Sequence, residues 1–397
     1  MSDYIELGSV AEFVSDRIDM ERVNKQNYIS TENMIEKKGG ILNANSLPTS
    51  KTVLNYKPKD ILISNIRLYF EKIWFADKEG GSSADVLVLR VKKGYSPKFI
   101  YYALSDSNFF KYADVTSKGT KMPRGDKKAI LKYIIPDYPV YYQTKIADVL
   151  STYDKLIENN NRRIQILEQT AEELYKEWFV RMRFPGYEKT KFHKGIPEGW
   201  EVRRIGDFID LKSGYAFKSS WWKKTGIPVV KIKDIQNNTL DFSALSYVST
   251  ENAEKSKQFY LSPGDLLIAL TGATIGKIAL VPYFAYDKLT VNQRVGKFFL
   301  GDKPIENVAF FYFLFLQTHI QEQIISIGNS NAAQPNISPL DIKNIKILYN
   351  ETVINKFNSS VKKYINLILK LKETNQNLTK QRDLLLPRLM NGTITVK

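Results

Sequence analysis

Residues 144–180, "TKIADVLSTYDKLIENNNRRIQILEQTAEELYKEWFV", hold neither proline nor glycine and repeat their apolar positions every seven residues. Two interleaved series run through them: Ile146, Tyr153, Asn160, Leu167, Leu174 and Leu150, Ile157, Ile164, Ala171, Trp178. A seven-residue repeat sustained this far predicts a helix with a coiled-coil seam. The end of the chain repeats the device, with Ile354, Val361, Ile368, Asn375, Arg382, Leu389 and Phe357, Tyr364, Leu371, Leu378, Leu385. At about 1.5 Å per residue, each helix is expected to be roughly 50 Å long.

Each seam must be covered, and the other seam is the partner of matching length. In antiparallel packing the partner positions have a constant index sum. A sum of 535 sets Leu150 against Leu385, Ile157 against Leu378, Ile164 against Leu371, Leu174 against Val361 and Trp178 against Phe357. It also sets Asn160 against Asn375, the one clear amide of each seam. The tail "RDLLLPRLMNGTI" (382–394) carries Pro387 between apolar residues. A proline inside a helix kinks or ends it, so this tail is expected to bend back over the region where the first helix begins.

The segments ahead of the two helices correspond as well. "YKPKDILISNIR" (56–67) echoes "LSPGDLLIALTGATIGKIAL" (261–280): a turn, an aspartate, an apolar strand, then polar residues. "TSKGTKMPRGDKKAILKYIIP" (116–136) echoes "ISIGNSNAAQPNISPLDIKNIKIL" (325–348). The stretches "DILIS", "DVLVLRV", "DLLIAL", "KIALVPYF" and "VGKFFL" read as strands, and residues 96–113 and 306–325 as helices. The aromatic run Phe310–Phe315 is too short to cross a bilayer and reads as core. The expected fold is α+β: two α/β globules separated by two long helices packed as an antiparallel coiled coil, with an internal pseudo-two-fold duplication. The boundaries read as 1–143, 144–183, 184–350 and 351–397, with "RFPGYEKTKFHKGIPEGWE" (183–201) as a Pro/Gly-punctuated linker.

Charge then narrows the partner. The chain has 58 Lys+Arg against 42 Asp+Glu, a formal +16. That excess favours a polyanion, of which nucleic acid is the commonest. Residues 353–397 concentrate it, with nine basic side chains and two acidic ones. The absence of cysteine excludes disulfides and thiolate metal sites. Two histidines, His193 and His319, leave little for imidazole chemistry. "MSDYIELGSVAEF" lacks the cationic start and apolar stretch of a secretory signal, so a cytoplasmic location is expected.

No catalytic constellation emerges, and no catalytic or metal-ligating residue is assigned. "TGATIGKI" (271–278) has three residues between its glycines where a phosphate loop has four, and Ile278 stands where the magnesium-binding hydroxyl belongs. An Asn-Pro-Pro-aromatic tetrad is absent, as is a Gly-x-Gly pair after a strand. "IPDYP" (135–139) is not followed by an acidic-x-Lys triplet at nuclease spacing. Asp60 and Asp265 precede strands at turns and read as caps.

Binding chemistry remains. "SKGTKMPRGDKK" (117–128) is a basic, Gly-containing loop, in which Lys118, Thr120, Lys121 and Lys127 suit phosphates and Arg124 suits a guanine edge. Asn65 and Arg67 follow the first strand of the same half. "SIGNSNAAQPNIS" (326–338) brings Asn329, Asn331, Gln334 and Asn336, side chains that pair with adenine edges. "KSGYAFKSSWWKKTGIP" (212–228) places Lys218, Trp222 and Lys223 on an aromatic-basic loop, and Thr271, Thr274 and Lys277 line the turn at 271–277. "TVNQRVG" (290–296) adds Asn292, Gln293 and Arg294. A solvated basic loop or a plain turn cluster would use the same residues.

Taken together these stretches resemble the DNA-specificity subunits of type I restriction-modification enzymes. The resemblance covers essentially the whole chain and is carried by "LLLPRLMNGTI", "LYKEWFVRMRFPG" with "GIPEGWEVRRIGDF", "GYAFKSSWWKKTGIPVVKIKDI" and "LSPGDLLIALTGATIGKIAL". The first half departs from the pattern: Lys59 replaces the usual glycine before Asp60, and "SNIRLYF" replaces the Gly-rich turn. The resemblance implies a non-catalytic host-defence subunit that binds double-stranded DNA. Its globules would be target recognition domains, each reading one half of a bipartite asymmetric sequence. Its helices would be conserved spacers that dock two methylase subunits. The methylases would carry S-adenosylmethionine and modify adenine at N6. Restriction subunits would join through them and use ATP and magnesium. Two readings from other classes stand beside it: a stand-alone DNA-modifying enzyme with degenerate motifs, and a coiled-coil adaptor.

Overall fold

Asp60 and Asp265 each close a turn and deliver a buried strand into the middle of a sheet. The computed structural model describes residues 3–119, 123–236, 238–330 and 335–396. They fall into two units, residues 1–157 with 378–397, and residues 158–377.

In the first unit the Asp60 carboxylate accepts the Lys57 amide at 2.8 Å and takes the Arg90 guanidinium bidentately at 2.9 and 2.6 Å. The strand that follows, Ile61–Ser64, lies inside an antiparallel sheet of order Ala11–Phe13, Val86–Val91, Ile61–Ser64, Ile73–Phe75. Its residues alternate faces with the two-residue period of a strand. Ile61 and Ile63 enter the core with helices Pro97–Leu104 and Ser107–Val115, while Leu62 enters a second core with Tyr56 and Val88. A second sheet, in the order Arg17–Asp19, Thr52–Tyr56, Gly80–Ser82, Tyr28–Ile29, ends in a parallel pair. Strand Asp3–Glu6 pairs antiparallel with Ile134–Asp137, just ahead of the long helix Val140–Tyr175.

The second unit repeats this plan. Asp265 accepts the Ser262 amide at 2.8 Å and pairs at 2.8 Å with Lys297, which stands where the first unit has Val88, so the cation comes from two residues earlier on the neighbouring strand than Arg90 does. The sheet order is Asp210–Ser213, Val295–Phe299, Leu266–Ala269, Ile278–Leu280, again antiparallel throughout. Leu266 and Ile268 face the core with helices Pro304–Leu316 and Thr318–Ser330, and Leu267 and Ala269 face the other core. Residues Phe310–Phe315 are all buried in the first of these cores. A second sheet again holds a parallel pair, Ile227–Val230 with Thr290–Val291. Strand Glu201–Arg204 pairs with Lys346–Tyr349 ahead of the helix Glu351–Met390. The α+β duplication expected from the sequence is therefore present in the central sheets, the parallel pairs and the strands ahead of the long helices, while the second sheets differ, with four strands in the first unit and three in the second. Even the departure at Lys59 keeps its geometry: Lys59 has φ 76°, where its counterpart Gly264 has φ 89°.

Within each unit the long helices run antiparallel. In the first, Leu150 is buried with Leu386, Leu389 and Met390, and Asp154 pairs with Arg382 at 2.6 Å. In the second, Ile164 packs with Ile368 and Leu371, Leu174 and Val361 join one core, and the Trp178 and Phe357 rings lie 5.7 Å apart.

Three features differ from the sequence-based expectation. The stretches 96–113 and 306–325 are each two helices, separated at Ser105–Asp106 and at Gln317. The first long helix loosens into a π-helical turn at Lys176–Val180, where the Arg181 amide reaches back to the Lys176 carbonyl. Pro387 does not end the second helix, which continues to Met390. The proline sits in the last turn, where its missing N–H removes one bond only, and burial of Leu386, Leu389 and Met390 holds that turn in place. Among the described residues no helix is long and apolar enough to cross a membrane.

Candidate nucleic-acid interface

Each unit brings three separate loops to one junction at the end of its central strand. In the first unit the Asn65 amide donates to the Asp85 carbonyl at 2.8 Å, and the Gly125 amide donates to the Asn65 carbonyl at 3.2 Å. Ile66 then bridges Arg124, and Arg124 exchanges backbone hydrogen bonds with Lys118 at 2.8 and 2.9 Å. In the second unit the Leu270 amide donates to the Arg294 carbonyl at 3.0 Å and the Ile337 amide to the Leu270 carbonyl at 2.9 Å, with Thr271 bridging Asn336. The backbone is the same and the side chains differ. Asp85 corresponds to Arg294, Ile66 to Thr271 and Arg124 to Asn336.

That difference fixes the chemistry of each junction. Arg124 is exposed, and its Nε and Nη2 donate to Asp85 Oδ1 at 3.1 and 2.9 Å. Two of five guanidinium donors are thereby used and the fork is held against the sheet, and among the described residues the others have no partner. Lys118, also exposed, pairs at 2.6 Å with Asp126, the residue that caps helix Lys127–Leu131. The Lys118 ammonium and the amides of that helix hold the Asp126 carboxyl below its ordinary value. Around the second junction Arg294, Gln293 and Asn336 are exposed, and among the described residues no carboxylate pairs with Arg294.

The other candidates scatter around these junctions. Arg67 is exposed on left-handed backbone, φ 51°, and the Lys127 ammonium lies 5.5 Å over the Phe13 ring. Thr274 and Lys277 follow Thr271 in the turn after the central strand, and Asn329 is exposed near the end of helix Thr318–Ser330. Trp222 packs on Phe217 with ring centroids 5.7 Å apart, Lys218 lies 5.5 Å over Trp221, and the Lys223 amide donates to the Tyr247 carbonyl. Thr120, Lys121, Asn331 and Gln334 lie outside the described residues.

Two assignments change. Asn65 and Asn292 are each 7% exposed. Asn65 sits beneath Gly125, and the Asn292 side chain accepts the Arg294 amide at 3.4 Å. Both shape the loops that bear Arg124 and Arg294, and we move them from contact to support. The sequence reading missed Asp85. It lies far along the chain from Arg124, and no local pattern marks an aspartate after a serine pair as the partner of a later loop. Among the described residues no group of three or more acidic or histidine side chains is placed to hold a metal.

Comparison with known proteins decides the family. The model of the type I restriction modification DNA specificity domain matches residues 2–169 and again 197–379, one copy over most of each half. The chain belongs to this family. It is a non-catalytic specificity subunit, whose work is DNA sequence recognition and whose catalysis lies in partner subunits. It is 27% identical to the MjaVIII specificity subunit of Methanocaldococcus jannaschii over 386 residues, 96% of this chain and 88% of that one. It is 23% identical to the HindI specificity subunit of Haemophilus influenzae, over 99% of this chain and 100% of that one. The specificity subunit of M. genitalium has a similar fold, with a TM-score of 0.58 at 16% identity over 98% and 96% of the two chains. The duplicated sheets and long helices are thus those of a specificity subunit.

Proposed function

We propose that residues 1–143 and 184–350 act as two target recognition domains, each reading one half of a split, asymmetric double-stranded DNA site. Residues 144–183 and 351–397 would be the conserved spacers that hold the two readers. The observation that carries this reading is the pair of equivalent junctions, built on one backbone plan with different exposed side chains. A scaffold that keeps its backbone while changing its donors suits two readers of different sequence, because base edges are told apart by donor and acceptor pattern. Arg124 and Arg294 are the side chains we assign to base edges. Lys118, Lys223 and Lys277 we assign to phosphates.

The spacers dock two methylase subunits, which bring S-adenosylmethionine and methylate adenine at N6. Restriction subunits assemble through the methylases and use ATP and magnesium, in the cytoplasm. Methylation mapping of host DNA with and without this gene tests the reading. The expected result is N6-methyladenine in a two-part motif that disappears with the gene. Turnover by the purified chain alone, given DNA and S-adenosylmethionine, would favour a stand-alone enzyme instead. DNA binding that does not weaken with salt would count against phosphate contacts.

A further inference from the structure

The second unit holds a cleft of about 340 Å³ beside its junction, lined by Phe217, Trp222, Lys231, Lys233, Asn292 and Arg294 among others. We propose that this cleft is a phosphate-binding site for the DNA backbone, that Lys231 and Lys233 are the cations that take the phosphate beside the base-reading Arg294, and that the turn residues of the first unit supply no such pair. The inference rests on the reading of the chain as a DNA-binding subunit.

The turn that carries the two lysines is a rigid platform. The Lys231 amide donates to Asp234 Oδ2 at 2.8 Å, closing the turn, and Asp234 is 3% exposed. The Lys231 ammonium lies 3.5 Å from the centroid of the Trp222 ring, held there by cation–π attraction. Lys233 pairs with Asp234 Oδ1 at 2.8 Å and also donates to the Ala244 carbonyl. On the opposite side the Asn292 amide donates to the Val230 carbonyl at 2.9 Å, tying the loop that bears Arg294 to the start of the lysine turn. Three cations against the single carboxylate of Asp234 leave the cleft at +2. Burial, and then the neighbouring Lys233, push the Lys231 ammonium below its ordinary pKa, against the pull of Asp234. An anion in the cleft would offset that penalty. The aromatic wall and lysine turn leave room for a phosphate group without offering base-edge acceptors of their own.

The first unit builds the same turn from different residues. The Ser30 amide donates to Asn33 Oδ1 at 2.6 Å, as Lys231 does to Asp234, and the Ser83 amide donates to the Ile29 carbonyl at 2.8 Å, as Asn292 does to Val230. Ser30 therefore stands at the position of Lys231, Glu32 at that of Lys233 and Asp85 at that of Arg294. The corresponding charges change from three cations to none, with two carboxylates in their place. Among the described residues the one ammonium that reaches the turn of the first unit is Lys72, which donates to the Thr31 carbonyl at 2.9 Å from another strand connection and stands beside two carboxylates. The two halves therefore present different charge to DNA at this place.

The test is the salt dependence of DNA binding by the full-length chain with its methylase subunits, on duplexes carrying the mapped motif and on unrelated duplexes. Each phosphate contact contributes about 0.9 to the slope of log K against log salt. Lys231→Ala combined with Lys233→Ala should lower that slope by about one to two, weaken both duplexes alike and leave the methylated motif unchanged. Lys231→Arg should retain the slope, and a neutral methylphosphonate at one linkage of the second half-site should reproduce the loss. Inorganic phosphate at the same ionic strength should not compete measurably if the site is built for a backbone. Competition by phosphate alone, with no methylphosphonate effect, would overturn the assignment to DNA. An unchanged slope in the double variant, with its melting temperature intact, would sink the cleft but leave DNA binding standing. Salt-insensitive binding by the unaltered protein would sink the underlying reading.

Discussion

Asn160 Nδ2 donates a hydrogen bond to Asn375 Oδ1 at 2.9 Å, and Asn375 Nδ2 passes it on to Asn161 Oδ1 at 2.8 Å. Asn160 and Asn375 interrupt the apolar seam beside the cluster of Ile164, Ile368 and Leu371, and Asn161 lies at its exposed edge. A polar residue at a seam position fixes register at a cost in stability. Asn160→Leu alone removes the donor that Asn375 Oδ1 accepts, and should cost about 1 kcal/mol, at the low end for an unsatisfied group because Asn375 is half-exposed. Asn160→Leu with Asn375→Leu should restore or exceed the original melting temperature. It should also broaden the distance between the two parts of the methylated motif. A double variant that melts lower, or methylates one unchanged spacing, would remove the register role.

Each unit pairs its turn aspartate with a cation of the neighbouring strand, Asp60 with the partly exposed Arg90 and Asp265 with Lys297, and only the second pair is enclosed on both sides, its side chains 3% and 9% exposed. Breaking a buried pair from one side leaves an uncompensated charge, at about 3–5 kcal/mol. Lys297→Met should therefore destabilise by roughly that amount in chemical denaturation. Lys297→Met with Asp265→Asn should lie within about 1 kcal/mol of the original, because the pair is gone but the amide oxygen still caps the Ser262 turn. Burial raises the Asp265 carboxyl above its ordinary value, against the pull of Lys297. A raised folded pKa contributes stability below the unfolded value that is lost as pH rises through the folded one. Removing Lys297 removes the opposing pull, so the deficit of Lys297→Met should shrink as pH falls. A deficit constant with pH would mean that Asp265 is not the residue responding.

Lys59 occupies left-handed backbone, φ 76°, at the position its repeat partner fills with Gly264. A non-glycine residue there costs about 1–2 kcal/mol. Lys59→Gly relieves that cost but frees the unfolded chain, so the net gain should be about 0.5–1 kcal/mol. Loss of stability on this substitution would show that the lysine side chain contributes more than its backbone costs.

Most of the scaffold was legible in the sequence because it is periodic. Seven-residue spacing fixed both the helices and their antiparallel register, and alternation around "DILIS" and "DLLIAL" fixed the central strands. The π turn at Lys176–Val180 has no such mark, since it closes the helix and no further periodic positions follow to show the shift. Pro387 carries no local mark of its place in a last turn, which the burial of Leu386, Leu389 and Met390 holds in the helix. The recognition junctions were legible only in part. Arg124 and Arg294 stood out as cations among polar residues, but Asp85, Lys231 and Lys233 act by meeting loops distant in the chain. Only the repeat-related hydrogen bonds, seen in three dimensions, show which of them correspond.

The final prediction concerns Asp85, which holds the Arg124 guanidinium through Nε and Nη2. If Arg124 reads a base edge, Asp85 is its positioning residue, and removing either should relax one base pair rather than weaken all DNA. Arg124→Ala should cost roughly 1–3 kcal/mol on the preferred motif and little on duplexes altered at that base pair. Asp85→Ala should show the same position dependence with a smaller loss, because the fork remains but is no longer aimed. Lys118→Ala should weaken every duplex alike and lower the salt slope by about one. Replacing the whole loop 117–128 should alter one half of the methylated motif and leave the other unchanged. Methylation maps of these four variants, together with binding isotherms at several salt concentrations, read the outcomes. A uniform loss from Arg124→Ala would move it to the phosphate class, and loss of both half-motifs on loop replacement, with folding intact, would rule out two independent readers.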